Sequence, residues 1–120
     1  MDSKNIARLL KVLSVKTRVE ILLLLKGRAL CVNALSSRLG ITSGAVSQHL
    51  KIMRDAGLVI DEKCGYYVHY SLDEKTLAVW QEAIEELLDP RSGGRTAQKG
   101  TQKCAAVMKN NVVKNRKSER

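Results

Sequence analysis

The chain has 120 residues, 44% of them hydrophobic, which suffices for one core without disulfide staples. Phe is absent and the aromatics are Trp80, Tyr66, Tyr67 and Tyr70, so the core must come from Leu, Ile, Val and Ala, as packed helices allow. The formal charge of +9 is lopsided: residues 1–90 carry 12 Lys and Arg against 11 acids, while 91–120 carry 9 against Glu119 alone, so the basicity belongs to a tail suited to a polyanion and not to the fold.

Ile6, Leu9, Leu10 and Leu13 recur at helical spacing and predict a first helix. A second, over 16–26, carries "VEILLLL" and is apolar nearly all round, the mark of a helix central to a core. "ALCV" reads as a brief strand. Asn33 can then cap a short third helix that Gly40 stops. Thr42 or Ser43 caps a fourth helix, ending at Gly57. Two strand-like runs, "LVIDEK" and "YYVHYSL", follow as a hairpin joined by Cys64-Gly65. Asp73 caps a last helix bearing Leu77, Trp80, Ile84, Leu87 and Leu88, and Pro90 closes it. Beyond lies "RSGGRTAQKGTQK", linker-like in composition. The expected division is a domain over 1–90 and a basic, flexible tail over 91–120.

"MDSKNIARLL" lacks the apolar stretch of a signal peptide and "VEILLLLK" is too short to span a bilayer, so a cytoplasmic protein without a membrane partner is expected. There, cysteines point to free thiols, metal ligation or redox chemistry. No nucleophile–base pair, phosphate loop or paired carboxylate stands out, so the chain reads as a binding protein and not an enzyme.

Two short helices, about 32–39 and 43–56, separated by "GIT" and followed by a hairpin, make a mainly α chain with a small β-hairpin: a helix-turn-helix with a wing. In the fourth helix Val46, Leu50 and Met53 form an inner stripe, flanked by Ala45, His49, Ile52 and Ala56. Ser43, Ser47, Lys51 and Arg54 line another face, with Gly44 and Gln48 adjacent. That face suits a major groove. Ser47 can bond varied base edges or phosphates, and Gln48 can bond adenine through two hydrogen bonds. Gly44 permits close backbone approach, and Thr42 or Ser43 can hold a phosphate. Lys51 and Arg54 suit phosphates, which position the helix without choosing sequence.

The run "LLKVLSVKTRVEILLLLKGRALCVNALSSRLGITSGAVSQHLKIMRDAGLVIDEKCGYYVHYSL" resembles the ArsR/SmtB family of winged-helix repressors, most strongly in "AVSQHLKIMRDAGLV" and the wing ending "YSL". The resemblance implies a homodimeric repressor on a pseudo-palindromic double-stranded DNA operator, released when an inducer binds. It places the dimer interface on the first and last helices, here Ile6, Leu9, Leu10 and Leu13 with Leu77, Trp80, Ile84 and Leu87. Recognition residues fall on Ser43, Gly44, Ser47 and Gln48. The family's wing commonly has Gly-Arg where this chain has Gly65-Tyr66, and Lys63 supplies charge instead.

Metal-sensing relatives carry "ELCVCDL"; here "ALCVNAL" keeps Cys31 and has Asn33 in place of the second thiol. A soft-metal site needs three or four ligands, which Cys31 alone cannot provide. Two readings stay open. Cys31 is an apolar filler, or it joins Cys104 of the tail in a site for arsenite, a soft metal ion, an oxidant or a persulfide. Cys64, at the wing tip, is remote from both. The family's other site, Asp and His along the last helix, is excluded because that helix has no His. A regulator without an inducer, controlled by a protein partner or by expression level, is the alternative; an RNA-binding module is another, with few rings for stacking.

Overall fold

A computed structural model describes residues 1–91; Cys104 and the expected tail beyond Arg91 lie outside the described residues. The element order is α1 (Ser3–Val12), α2 (Lys16–Leu24), β1 (Leu30–Cys31), α3 (Val32–Leu39), α4 (Ser43–Asp55), β2 (Val59–Cys64), β3 (Tyr67–Leu72) and α5 (Glu74–Leu88). Three of the five helix starts, those of α1, α4 and α5, are capped by a side chain. The Asp2 carboxylate accepts from the Asn5 N–H at 2.8 Å, the Thr42 hydroxyl from Ala45 at 3.1 Å, and the Asp73 carboxylate from Lys75 at 3.1 Å. Such caps satisfy amide groups that the helix itself leaves without partners.

Two starts and joints differ from expectation. Asn33 does not cap α3; Cys31 occupies the N-cap position and makes no side-chain cap bond. The strand runs straight into the helix, so no residue is left between them to serve as a cap. The hairpin turn is Gly65-Tyr66 and not Cys64-Gly65, because Cys64 still pairs with Tyr67. Gly65 takes φ of 65° at the first loop position while no non-glycine residue among those described has positive φ, the backbone of a type II′ turn.

The sheet is antiparallel in the order β1-β3-β2, with Leu30 opposite Tyr70, Cys31 opposite His69, and Val59 opposite Leu72. Leu30, Tyr70 and Leu72 pack against the core, so Cys31 and His69 project from the other face by the period-two alternation of strands. The core is aliphatic as the composition requires: Ile21, Leu25, Leu35, Val46, Leu50, Met53, Leu58 and Val59 are all fully buried. Trp80 closes one side.

The second helix is central only in part. Ile21 and Leu25 are buried, but Leu23 is 56% exposed. A helix apolar all round needs cover all round, and one small domain covers about half of it. Met1–Ile84 form one compact unit. In the following segment the described residues hold the last turn of α5 and a contact of Arg91 with the Asp89 carboxylate at 3.4 Å. No helix among the described residues is long and apolar enough to cross a membrane.

Candidate nucleic-acid interface

Helix α4 is held by its buried stripe. Val46, Leu50 and Met53 are shut off from solvent while Ser43, Gly44, Ser47, Gln48, Lys51 and Arg54 are exposed. The helix packs on α2, α3 and β2. Its approach from α3 is fixed by a tight joint: Gly40 adopts φ of 69°, its N–H donates to the Ser36 carbonyl at 2.9 Å, and the Ser36 hydroxyl donates to the Ile41 carbonyl. Only glycine enters that backbone region without strain. Sequence reasoning found Gly40 but not Ser36, whose hydroxyl bridges the joint to the Ile41 carbonyl.

Among the residues singled out from the sequence, Thr42 caps α4, and Ser43 and Gly44 sit in its first turn. Lys63 and Tyr66 lie at the far end of the hairpin, both exposed, with Tyr66 free of any contact that would shield its ring. Arg54 is engaged. Its Nη1 stands 3.3 Å from Asp61 Oδ2 and ties α4 to the wing. That pair was missed because Asp61 reads as an ordinary acid on a strand's outer face; its position seven residues on from Arg54, across Gly57, is the signal that would have found it.

Behind the exposed face lies a second polar link. Arg18 Nε donates to His49 Nδ1 at 3.3 Å, and Arg18 Nη1 to the Val12 carbonyl at 3.2 Å. Burial first, and the guanidinium second, hold the His49 imidazole below the usual histidine range. His49 therefore stays neutral and accepts from Arg18, tying α2 to α4 as a network residue and not as a metal ligand.

The residues expected at a dimer interface divide. Leu9 and Trp80 belong to the chain's own core, and Leu13, Leu77 and Ile84 pack against it. Ile6 is half-buried, and Leu10 and Leu87 are exposed, as is Val79. Cys31 is half-buried and Cys64 exposed. Among the described residues no three His, Cys, Asp or Glu converge to hold a metal ion, so the local donor set does not fit one. Opposite Cys31 in the sheet stands His69, whose Nδ1 is buried and has no hydrogen-bond partner among the described residues.

The family model for bacterial regulatory proteins of the arsR family matches residues 16–61, from α2 into the first wing strand. The arsenical resistance operon repressor of Escherichia coli K12 is 38% identical over 80 residues, 66% of this chain and 68% of that protein. The chain belongs to the ArsR family. A second relative of this ArsR-family regulator, the transcriptional activator HlyU of Vibrio cholerae, is 37% identical over 87 residues, 70% of this chain and 81% of that protein. Among solved structures, the homodimeric winged helix-turn-helix DNA-binding domain of a Mycobacterium bovis protein superimposes with a TM-score of 0.58 at 26% identity. It covers 72% of this chain and 83% of that one. The fold is thus a winged helix-turn-helix and the regulator a DNA-binding transcription factor of a family in which homodimers are typical. Repressors and an activator both occur among its relatives.

Proposed function

We propose that the regulator is a homodimeric repressor that lays α4 of each subunit into successive major grooves of a pseudo-palindromic operator. The observation that carries this is the division of α4 itself. A fully buried Val46, Leu50 and Met53 stripe backs an exposed face of Ser43, Gly44, Ser47, Gln48 and Lys51. Ser47 and Gln48 face base edges, Gln48 with the donor and acceptor pair that matches adenine. Thr42, Ser43 and Lys51 take phosphates, and Lys63 and Tyr66 of the wing tip meet the neighbouring backbone or minor groove. Arg54 reaches a phosphate only by sharing its guanidinium with Asp61, so its larger part is to hold the wing to the reading helix. The name of the Escherichia coli relative supports repression as the direction of control.

Replacing both Ser47 and Gln48 by Ala tests the assignment. Each lost base contact costs about 1–3 kcal/mol, so operator affinity should fall at least tenfold in a titration at fixed salt, with the dimer intact by sedimentation. Unchanged operator affinity defeats the assignment.

Control by a thiol-reactive inducer rests on Cys31 acting with Cys104. The half-buried Cys31 sits where α3 begins, so a group added there bears on the helix that precedes α4. Cys31→Ser and Cys104→Ser should each abolish release from DNA by arsenite, persulfide or peroxide. The competing reading, a regulator without an inducer, draws on Asn33 standing where relatives have a second thiol; it predicts that none of these reagents releases the wild type.

A further inference from the structure

Helix α4 packs on α2, α3 and β2, but toward α1 its support is of another kind. There a cleft of about 640 Å³ opens, lined by Leu9, Lys11 and Val12 of α1 and by Ile52, Asp55 and Ala56 from the second half and end of α4. Apolar packing is non-directional, and across an open cleft it does not fix how α4 is turned or set back from α1. Arg18 supplies a directional link at this place. Its Nη1 donates to the Val12 carbonyl at 3.2 Å, and its Nε to His49 Nδ1 at 3.3 Å.

Both ends of this link are telling. Val12 is the last residue of α1, and its carbonyl is among the four that a helix end leaves without an intrahelical partner. A guanidinium there also suits the negative end of the helix dipole. His49 stands in the middle of α4 and follows Gln48 directly, so what fixes the imidazole fixes the turn that carries Ser47 and Gln48. The guanidinium is planar and its donors form a rigid fork, so the two bonds hold the two helices in one relation. Arg18 and His49 are both half-buried, where water competes less for the same groups.

We propose that Arg18 is a positioning residue for operator reading: it ties α4 to the end of α1, and through α1 sets the separation of the two reading helices in a dimer. This rests on the homodimeric reading above, in which α1 belongs to the interface. Arg18 itself touches no DNA. A link of this kind acts on spacing and not on base choice. Without it α4 keeps its exposed face and still fits one half-site, but two copies are no longer held at the separation of about 34–36 Å that successive major grooves demand.

The full-length protein is first used to select its operator from random-sequence duplexes. The spacing of the selected repeat is then lengthened and shortened by one base pair, and affinities are titrated at fixed salt. The wild type should bind the altered spacings about tenfold more weakly or worse, the worth of the base contacts misplaced. Arg18→Gln and His49→Leu should each lower affinity at the native spacing and bring native and altered spacings to within about threefold, as loss of a charge-assisted hydrogen bond implies. Both should bind an isolated half-site as the wild type does. The double variant should match the single ones, since each breaks the same link. His49→Asn, which sets an amide oxygen where Nδ1 stood, should restore the preference. Retention of the wild-type spacing preference by Arg18→Gln overturns the proposal, and His49→Leu decides it should Arg18→Gln fail to fold. Losses that add in the double variant, or that persist in His49→Asn, overturn it too, as does equal weakening on every duplex, the mark of a merely structural role. Selected duplexes without a repeated half-site would overturn the dimeric reading and this proposal together, whereas a repeat whose spacing the variants still respect overturns this proposal alone.

Discussion

His49 shows how much one residue's role depends on a partner far along the chain. Its place between Ala45 and Ile52 on α4 marks it as packed in the sequence alone, but its donor, Arg18, lies 31 residues away and carries no motif. Nothing local distinguishes Arg18 from a solvated arginine; the fold selects it by laying α2 against α4. The link is sensitive to acid. The folded imidazole titrates below the ordinary value near 6.5, so the unfolded chain binds the proton more readily than the native one. Stability is therefore complete above that value and declines as pH falls below it toward the folded value, where protonated His49 faces the Arg18 cation. Urea denaturation at pH 7.5 and pH 5.5 checks this, with His49→Gln as the reference. The wild type should lose more stability between the two than the variant, whose carboxylates titrate alike but which lacks the imidazole. Equal losses would mean that the link contributes nothing to folding.

At the scale of the element, α4 was the most legible part because its signals are local: a cap at Thr42 or Ser43, which the structure gives to Thr42, an apolar stripe of period 3.6 and a terminating glycine. The entry to α3 was not, since a strand pairing 38 residues ahead, Cys31 with His69, decides where β1 stops and so which residue stands at the N-cap. The hairpin turn failed for a related reason: one residue of register decides whether Cys64 is strand or loop. The first turn of α4 holds a sharper test of function than its side chains do. A Cβ built at Gly44 meets nothing within 4 Å, and its backbone does not require glycine. Folding thus gives no reason for a glycine at a helical position where Ala is better by up to about 1 kcal/mol. Close approach of a DNA backbone does. Gly44→Ala should leave thermal stability equal or higher yet weaken operator binding about tenfold, the cost of a contact worth 1–3 kcal/mol. Operator affinity like that of the wild type would place the start of α4 away from the duplex.

For the whole molecule, the sequence separates poorly what a chain buries in itself from what it offers to a second copy, because both are apolar stripes. Leu9 and Leu10 are neighbours of the same type, yet Leu9 is in the core and Leu10 is 43% exposed. Trp80 and Val79 divide the same way. Only packing tells them apart. Charge is easier to assign, since it needs no packing to be counted. The compact part of the regulator is nearly neutral, whereas residues 92–120 hold eight Lys and Arg against one Glu. A protein that neutralises phosphates releases counterions, and the slope of log affinity against log salt changes by about 0.9 for each. If the basic residues contact DNA, a chain ending at Arg91 should give a slope shallower by about 2 or more, with lower affinity at low salt for any sequence. The preference for operator over random duplex should persist, because α4 is untouched. An unaltered slope would mean that these charges stay off the duplex and that the reading helix, its cap and the wing supply all of the phosphate contacts.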